Sequence, residues 1–208
     1  MKWGAVTSPV LPFLIGLWFI RRQKNMQFRL LFLFITIGIL TEAASLITLM
    51  LGTKNNLWLG HLYTFLAFSV LASVFYFSFS RPLLKRAIIG GIIGLFCLIY
   101  YDAFVTDGLA KMNSLSRIAA SSMLIVMAIT YFYKVANNGK VIYLDRDPMF
   151  LLSCVVLIYY AGTSMSYAIF NEALAISYDM ARICLSIILI LNILFYVSHA
   201  FILRRMAA

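Results

Sequence analysis

Charged side chains are scarce in this chain of 208 residues. They make up 12% of the residues, and only seven of them are Asp or Glu. Soluble domains carry about a quarter charged and about half apolar residues, whereas 63% of this chain is hydrophobic. A water-soluble fold has no way to bury so much apolar surface, so the composition excludes that class and indicates a protein of the membrane.

Linear signatures of catalysis and metal binding are missing as well. The sequence contains no HExxH, GxSxG or CxxC motif and has only two histidines. Zinc takes three or four closely grouped N, O or S ligands, so we predict no metal, and nothing indicates another cofactor. Cys97, Cys154 and Cys184 each lie inside an apolar segment, which predicts buried thiols that pack as small hydrophobes. The last apolar segment lacks a central lysine for a retinal Schiff base, which excludes a rhodopsin.

Long apolar stretches fill the rest of the sequence. An apolar run of about 20 residues crosses a bilayer as a helix, because a helix satisfies its own backbone hydrogen bonds. Seven such stretches are present, at about residues 3–20, 30–51, 57–80, 87–104, 118–133, 149–170 and 180–203. We therefore predict an all-α, polytopic membrane protein, a single seven-transmembrane-helix bundle over residues 1–208. The spans use nearly every residue, so we expect no soluble catalytic domain.

The basic residues predict the orientation of these spans. Connections rich in Lys and Arg stay on the cytoplasmic side of a membrane. One side carries Arg21, Arg22, Lys24, Arg29, Arg81, Lys85, Arg86, Lys134, Lys140, Arg146, Arg204 and Arg205. The other side carries Lys2, Lys54, Lys111, Arg117 and Arg182. We predict that the N-terminus is outside and the C-terminus inside. Because topology accounts for the net charge of +10, we expect no direct binding of nucleic acid.

The ionisable residues inside the spans favour the outer side. Glu42 lies near the middle of the second span, His61 one turn into the third, and Asp102 at the outer end of the fourth. A charge at the centre of a span costs about 2.5 to 3.5 kcal/mol. Gly38 and Ser45 share the helix face of Glu42, which favours a position inside the bundle. Glu42 is either a ligand-contacting or proton-carrying carboxylate, or a protonated acid bonded between helices. The pattern predicts an outward-facing polar cavity.

Polar side chains recur at helical spacing in the last two spans. Tyr159, Thr163 and Tyr167 share one face of the sixth span, and Asn192 and Tyr196 share one face of the seventh. Such side chains either bridge neighbouring helices or form the wall of a binding site. The predicted ligand-binding residues are Glu42, His61, Tyr63, Asp102, Tyr159 and Thr163. In the fourth span, Gly90, Gly91 and Gly94 predict close contact with another helix.

Several short segments carry a resemblance that covers most of the chain. They are Leu40-Thr41-Glu42, Asn55-Asn56-Leu57, His61-Leu62-Tyr63-Thr64, Arg146-Asp147-Pro148-Met149-Phe150 and Leu157-Ile158-Tyr159-Tyr160-Ala161-Gly162. The chain resembles a family of small seven-span inner-membrane proteins of Bacteroidota-type bacteria. It is also loosely similar to the seven-helix input modules of some bacterial sensor kinases. The resemblance implies a bacterial inner membrane and a seven-helix fold, and it draws attention to Glu42 and His61. It implies no activity.

We expect a receptor or an accessory module that does no chemistry of its own. A small or lipid-like ligand would bind in the outward cavity, among membrane lipids, and helix shifts would pass the signal to a separate cytoplasmic or membrane partner protein. One alternative is an intramembrane enzyme acting on lipids, with Glu42 and His61 as acid and base. A transporter of small solutes is another alternative, although the sequence has no clear three-plus-three repeat.

Overall fold

Helices form all the regular secondary structure in the part of the chain that is described. The computed structural model describes residues 7–53, 55–106, 108–109, 113–138 and 144–207. The helices are α1 (Val10–Phe19), α2 (Met26–Met50), α3 (Trp58–Ser78), α4 (Pro82–Tyr101), α5 (Ser114–Asn138), α6 (Pro148–Ile176) and α7 (Tyr178–Ala207). A π-helical turn, Asp102–Thr106, extends α4, and a 3-10 turn, Leu144–Arg146, precedes α6. The all-α prediction is confirmed.

Six of these helices, α2 to α7, are long and apolar enough to cross a membrane. The first predicted span, at about residues 3–20, contains the helix Val10–Phe19, which has 10 residues. A helix of that length rises about 15 Å, half of a bilayer core of about 30 Å. Residues 1–6 lie outside the described part of the chain. The composition and the six long helices support a membrane-embedded protein. The additional span at about residues 3–20 and the orientation stay predictions.

Local sequence signals explain where several helices begin and end. Asn25 Oδ1 accepts a hydrogen bond from the backbone N–H of Gln27 at 2.9 Å and caps α2. Asp147 Oδ1 accepts from the N–H of Met149 at 2.9 Å and caps α6 in the same way. Pro82 and Pro148 occupy the first turns of their helices, where a missing N–H breaks no helical bond. After α2, Gly52 has a φ of 78°, a left-handed conformation that glycine adopts without strain.

The helices form a closed bundle. Around the ring α2 contacts α3, α3 contacts α5, α5 contacts α6, α6 contacts α7, and α7 returns to α2. Outside the ring, α1 lies against α2 and α7, and α4 lies against α3 and α5. Glycines permit two of these contacts: a Cβ at Gly16 would overlap the ring of Phe32, and a Cβ at Gly162 would lie 2.7 Å from Leu191 Cδ1. Small residues thus let α1 approach α2 and α6 approach α7.

The interior has a mainly apolar half and a polar half. Phe28, Leu31 and Phe34 near the start of α2 are fully or almost fully buried, as are Ile202 and Leu203 near the end of α7. These side chains belong to one apolar core, which lies toward the basic connections. Beyond Gly38, α2 contributes no buried side chain to this core. That half of the bundle, on the side of the 51–57 connection, contains a polar cavity.

Two packing predictions, one for the cysteines and one for the glycines of α4, fail in part. Cys97 is exposed on α4, Cys154 is half-buried on α6 and Cys184 is buried on α7, so the prediction of buried thiols is confirmed for Cys184 alone and is wrong for Cys97. A Cβ at Gly91 would lie 3.3 Å from Met123 Sδ, but Gly90 and Gly94 have open space where a Cβ would be. Gly90 and Gly94, four residues apart, share a face of the helix on which a Cβ would meet no neighbour. Only Gly91 faces α5.

Candidate functional site

A cavity of about 280 Å³ lies between α2, α3, α5, α6 and α7. Its lining includes Pro9 before α1, Asn56 and Leu57 before α3, and Asn113 before α5. All four residues lie at the end of the bundle opposite the basic connections. The cavity therefore lies in the half of the bundle that the sequence predicts to face outward.

The α2 wall of the cavity carries a carboxylate. Gly38, Thr41, Glu42 and Ser45 all line the cavity, which confirms that the predicted polar face of α2 points into the bundle. Glu42 is exposed, and among the described residues it has neither an ion-pair nor a hydrogen-bond partner. The adjoining connection is fixed to this wall, because Asn56 Nδ2 donates to Ser45 Oγ at 2.5 Å.

The α5 wall carries a guanidinium group that a buried asparagine holds in place. Arg117 Nε donates to Asn113 Oδ1 at 2.7 Å. Asn113 is 1% exposed, and its Nδ2 donates to the Gly60 carbonyl at 3.1 Å and to Thr64 Oγ1 at 2.8 Å. The Thr64 hydroxyl in turn donates to the Gly60 carbonyl at 2.8 Å. This network fixes the start of α5 against α3 and sets the position of Arg117.

Two further contacts define the space around Arg117. Its guanidinium carbon lies 4.4 Å from the centroid of the Tyr167 ring, a cation–π contact. A Cβ at Gly60 would lie 3.1 Å from Arg117 Nη2, so the glycine leaves room for the guanidinium. Within the described residues, Arg117 has no carboxylate partner. Arg117 and Glu42 thus line one cavity without forming an ion pair.

Tyrosines form most of the remaining wall. Tyr159 donates its hydroxyl hydrogen to Asn192 Oδ1 at 2.6 Å, joining α6 to α7. The Tyr159 ring also packs against Phe195 with 4.1 Å between centroids. Tyr63 and Tyr196 line the cavity from α3 and α7. These side chains offer apolar rings together with hydroxyl groups, a combination typical of ligand-binding cavities.

Four of the six predicted site residues lie at or beside this cavity. Glu42, Tyr63 and Tyr159 line it. Thr163 lines an adjoining pocket of about 40 Å³ that shares Tyr63, Arg117 and other side chains with the main cavity. The Thr163 hydroxyl donates to the Tyr159 carbonyl at 2.7 Å. Thr163 therefore lies behind the tyrosine wall.

The other two predicted site residues do not line the cavity. Asp102 is fully buried, and its Oδ2 accepts from the backbone N–H of Ser116 at 3.1 Å and from Ser116 Oγ at 2.5 Å. It thereby caps the first turn of α5 from the end of α4. His61 is 4% exposed and is absent from the residues that line the cavity. The cavity thus brings Glu42 together with Arg117, not with His61.

Arg117 and Asn113 are the main site residues that sequence reasoning missed. Arg117 is next to the fifth apolar stretch, where its charge is explained by topology alone. The available signal was the spacing of four between Asn113 and Arg117, which places both side chains on one side of a helix start. Among the described residues, no group of three or more His, Cys, Asp or Glu side chains is placed to hold a metal ion.

Comparisons with known proteins give no relative from which a function could be inferred. No family model, curated protein or solved structure matches the chain. The resemblance to small seven-span inner-membrane proteins stays a prediction, and a function has to be argued from the cavity itself.

Proposed function

We propose that the protein is a membrane-embedded receptor or accessory module whose cavity binds a small molecule with one acidic and one basic group. The observation that carries the proposal is the pair of opposite charges in one cavity. Glu42 and Arg117 both line it, and neither forms an ion pair with any described residue. A zwitterionic ligand, such as an α-amino acid, would complement both charges at once.

Arg117 has the donors to recognise the acidic group. A guanidinium carries five N–H donors, and the Nε donor is used by Asn113. The Nη groups can bind a carboxylate or phosphate through two parallel hydrogen bonds, a strong and directional arrangement. Because Asn113 and the Tyr167 ring hold the side chain in place, little conformational freedom would be lost on binding.

Glu42 would recognise the basic group. A carboxylate within a span is expensive unless it meets water, a partner or a proton, and a cationic ligand group would supply such a partner. The cavity of about 280 Å³ is near the lower end of the range of about 300 to 1,000 Å³ for ligand sites. This volume favours a ligand of amino-acid size over a whole lipid.

The lining also favours binding over the acid–base alternative. Within the described part of the chain, no histidine or cysteine lines the cavity, so the acid–base pair of Glu42 and His61 lacks its second member there.

The walls of the cavity come from helices that also reach the basic connections. A ligand that draws these helices together would shift their opposite ends, where a partner protein would respond. We place this protein in a bacterial inner membrane with the cavity facing outward.

Thermal unfolding of the purified protein in detergent tests the proposal. We expect α-amino acids to raise the midpoint, and the matching amines and carboxylic acids, each with one charge, to leave it unchanged. A ligand at about 100 times its Kd stabilises a protein by about 2.7 kcal/mol. Glu42→Gln and Arg117→Gln should each abolish the shift.

Matched controls come from an exposed pair at the start of α7. Asp179 and Arg182 are 3.7 Å apart with side chains that are 87% and 80% exposed, so Asp179→Asn and Arg182→Gln should keep the ligand response. The proposal is refuted if no zwitterion in the panel raises the unfolding midpoint. It is also refuted if Glu42→Gln and Arg117→Gln both bind the ligand as well as the unmodified protein does. Lipid turnover would favour the enzyme, and solute uptake into proteoliposomes would favour the transporter.

A further inference from the structure

We propose a second site, a groove between α4 and α5 that binds an anionic phospholipid of the surrounding membrane. The groove consists of two adjoining chambers, one polar and one apolar. The polar chamber lies toward the basic connections and measures about 310 Å³. The apolar chamber follows it along the helices and measures about 290 Å³. Phe79, Leu84 and Thr130 line both chambers, so the two form one continuous groove.

The polar chamber carries two cations. Arg81 and Lys134 line it together with Ser80, Tyr133 and Asn137. Arg81 is exposed and has no carboxylate partner in the described ranges. Lys134 Nζ donates to the Ser78 carbonyl at 2.5 Å, and its other N–H groups are available for a further acceptor. Two cations facing one chamber complement the phosphate of an anionic headgroup.

No carboxylate among the described residues lines this chamber. Asp147 is close by, because its Oδ2 accepts from the Tyr131 hydroxyl at 2.8 Å, and Lys134 Nζ lies 5.4 Å from the Tyr131 ring centroid. Asp147 is nevertheless absent from the lining of the chamber. Among the described residues, the lining of the chamber thus carries two positive charges and no negative charge.

The apolar chamber suits an acyl chain. Its walls are Ile88 and Gly91 on α4 and Met123, Val126 and Met127 on α5. Gly91 keeps the chamber open, since a Cβ at this position would already lie 3.3 Å from Met123 Sδ. Val126 is 62% exposed, so the chamber opens laterally toward the hydrocarbon of the bilayer.

The order of the chambers matches the order of groups in a phospholipid. The headgroup would bind Arg81 and Lys134 at the level of the basic connections, and one acyl chain would follow the helices toward the bilayer centre. Basic pockets between transmembrane helices on the cytoplasmic side are typical sites for anionic headgroups. A free phosphate would leave the apolar chamber unused, and a peptide would have to enter through the bilayer. The groove therefore fits a membrane lipid.

Native mass spectrometry of the purified protein in mixed micelles tests this site. The micelles contain equal amounts of phosphatidylglycerol and phosphatidylcholine with matched acyl chains. We expect preferential retention of phosphatidylglycerol. Arg81→Gln should lower that preference about fivefold, the effect of one basic side chain near an anionic lipid. Gly91→Leu should lower retention of both lipids by filling the apolar chamber.

The controls lie on the same helix. Arg86 is exposed on α4 and lines neither chamber, so Arg86→Gln makes the same charge change outside the groove. Gly94→Leu adds the same side chain where a Cβ would meet nothing. Both controls should retain lipid like the unmodified protein. Equal retention of the two lipids, or identical losses from Arg81→Gln and Arg86→Gln, would overturn the proposal. The result does not depend on any ligand in the cavity that Glu42 and Arg117 line.

Discussion

The hydroxyl of Tyr196 occupies the space that a side chain at residue 38 would need. A Cβ at Gly38 would lie 2.7 Å from the phenolic oxygen, closer than real Cβ atoms come to an oxygen. Both residues line the cavity between α2, α3, α5, α6 and α7, so this contact between α2 and α7 positions part of its wall. Any side chain at residue 38 would therefore displace the Tyr196 hydroxyl from its place in the cavity wall.

Replacing Gly38 should destabilise the bundle in a way that depends on Tyr196. We expect Gly38→Ala to lower the free energy of unfolding by about 1 to 3 kcal/mol, the usual effect of overpacking. In the Tyr196→Phe background the oxygen is gone, so Gly38→Ala should cost much less. Equilibrium unfolding of the single and double variants measures the difference. An equal loss in both backgrounds would contradict the contact, and Gly94→Ala, where a Cβ has open space, is the control.

Asp102 should matter for stability rather than for ligand binding. Asp102→Ala removes a buried carboxylate that accepts two hydrogen bonds from Ser116. Hydrogen bonds to charged groups contribute about 1.5 to 3 kcal/mol each, so we expect a loss of at least about 2 kcal/mol in the free energy of unfolding. Asp102→Asn should lose less, because its amide oxygen still accepts. Asp179→Ala, which breaks an exposed pair, should change stability by less than about 1 kcal/mol.

Asn113 and Thr64 should be energetically coupled. The Asn113 amide donates to Thr64 Oγ1 at 2.8 Å between α5 and α3. Hydrogen bonds between transmembrane helices average about 0.6 kcal/mol and reach about 1.7 kcal/mol in double-mutant cycles. We expect a coupling in that range from the cycle of Asn113→Ala and Thr64→Val, measured by equilibrium unfolding. Strict additivity would show that this bond does not hold the start of α5.

The orientation of the bundle can be read from the labelling of single cysteines. Asn55 and Asp145 are exposed and lie in connections at opposite ends of the bundle. In a background without native cysteines, Asn55→Cys should react with a membrane-impermeant maleimide in intact cells. Asp145→Cys should react only after the membrane is opened, because its connection belongs to the basic side. The reverse pattern would place the basic connections outside and contradict the predicted topology.

The helical fold was largely readable from the sequence, because a bilayer imposes one length scale on every span. Six long apolar helices occur where apolar runs predict them. The polar face of α2 was also readable, since Gly38, Glu42 and Ser45 follow helical periodicity and all line the cavity. Periodicity relates residues on one helix. It does not tell which faces of different helices meet.

The candidate site shows most clearly the difference between what periodicity predicts along one helix and which helix faces meet in the fold. His61 and Asp102 have the chemistry of site residues, yet Asp102 caps α5 and His61 is buried outside the cavity lining. Arg117, which resembles an ordinary charge at the end of a span, faces the cavity because Asn113 fixes it against α3. The contacts that select Arg117 join residues more than 45 positions apart in the chain.

The sequence by itself determined that this protein is all-helical and membrane-embedded and that its basic connections gather at one end of the bundle, because hydropathy and charge act locally along the chain. Only the tertiary structure decided that Glu42 and Arg117 share one cavity and that α4 and α5 leave a groove between them. Both features depend on close approaches between distant helices, set by side-chain volume at single positions such as Gly38, Gly60 and Gly91.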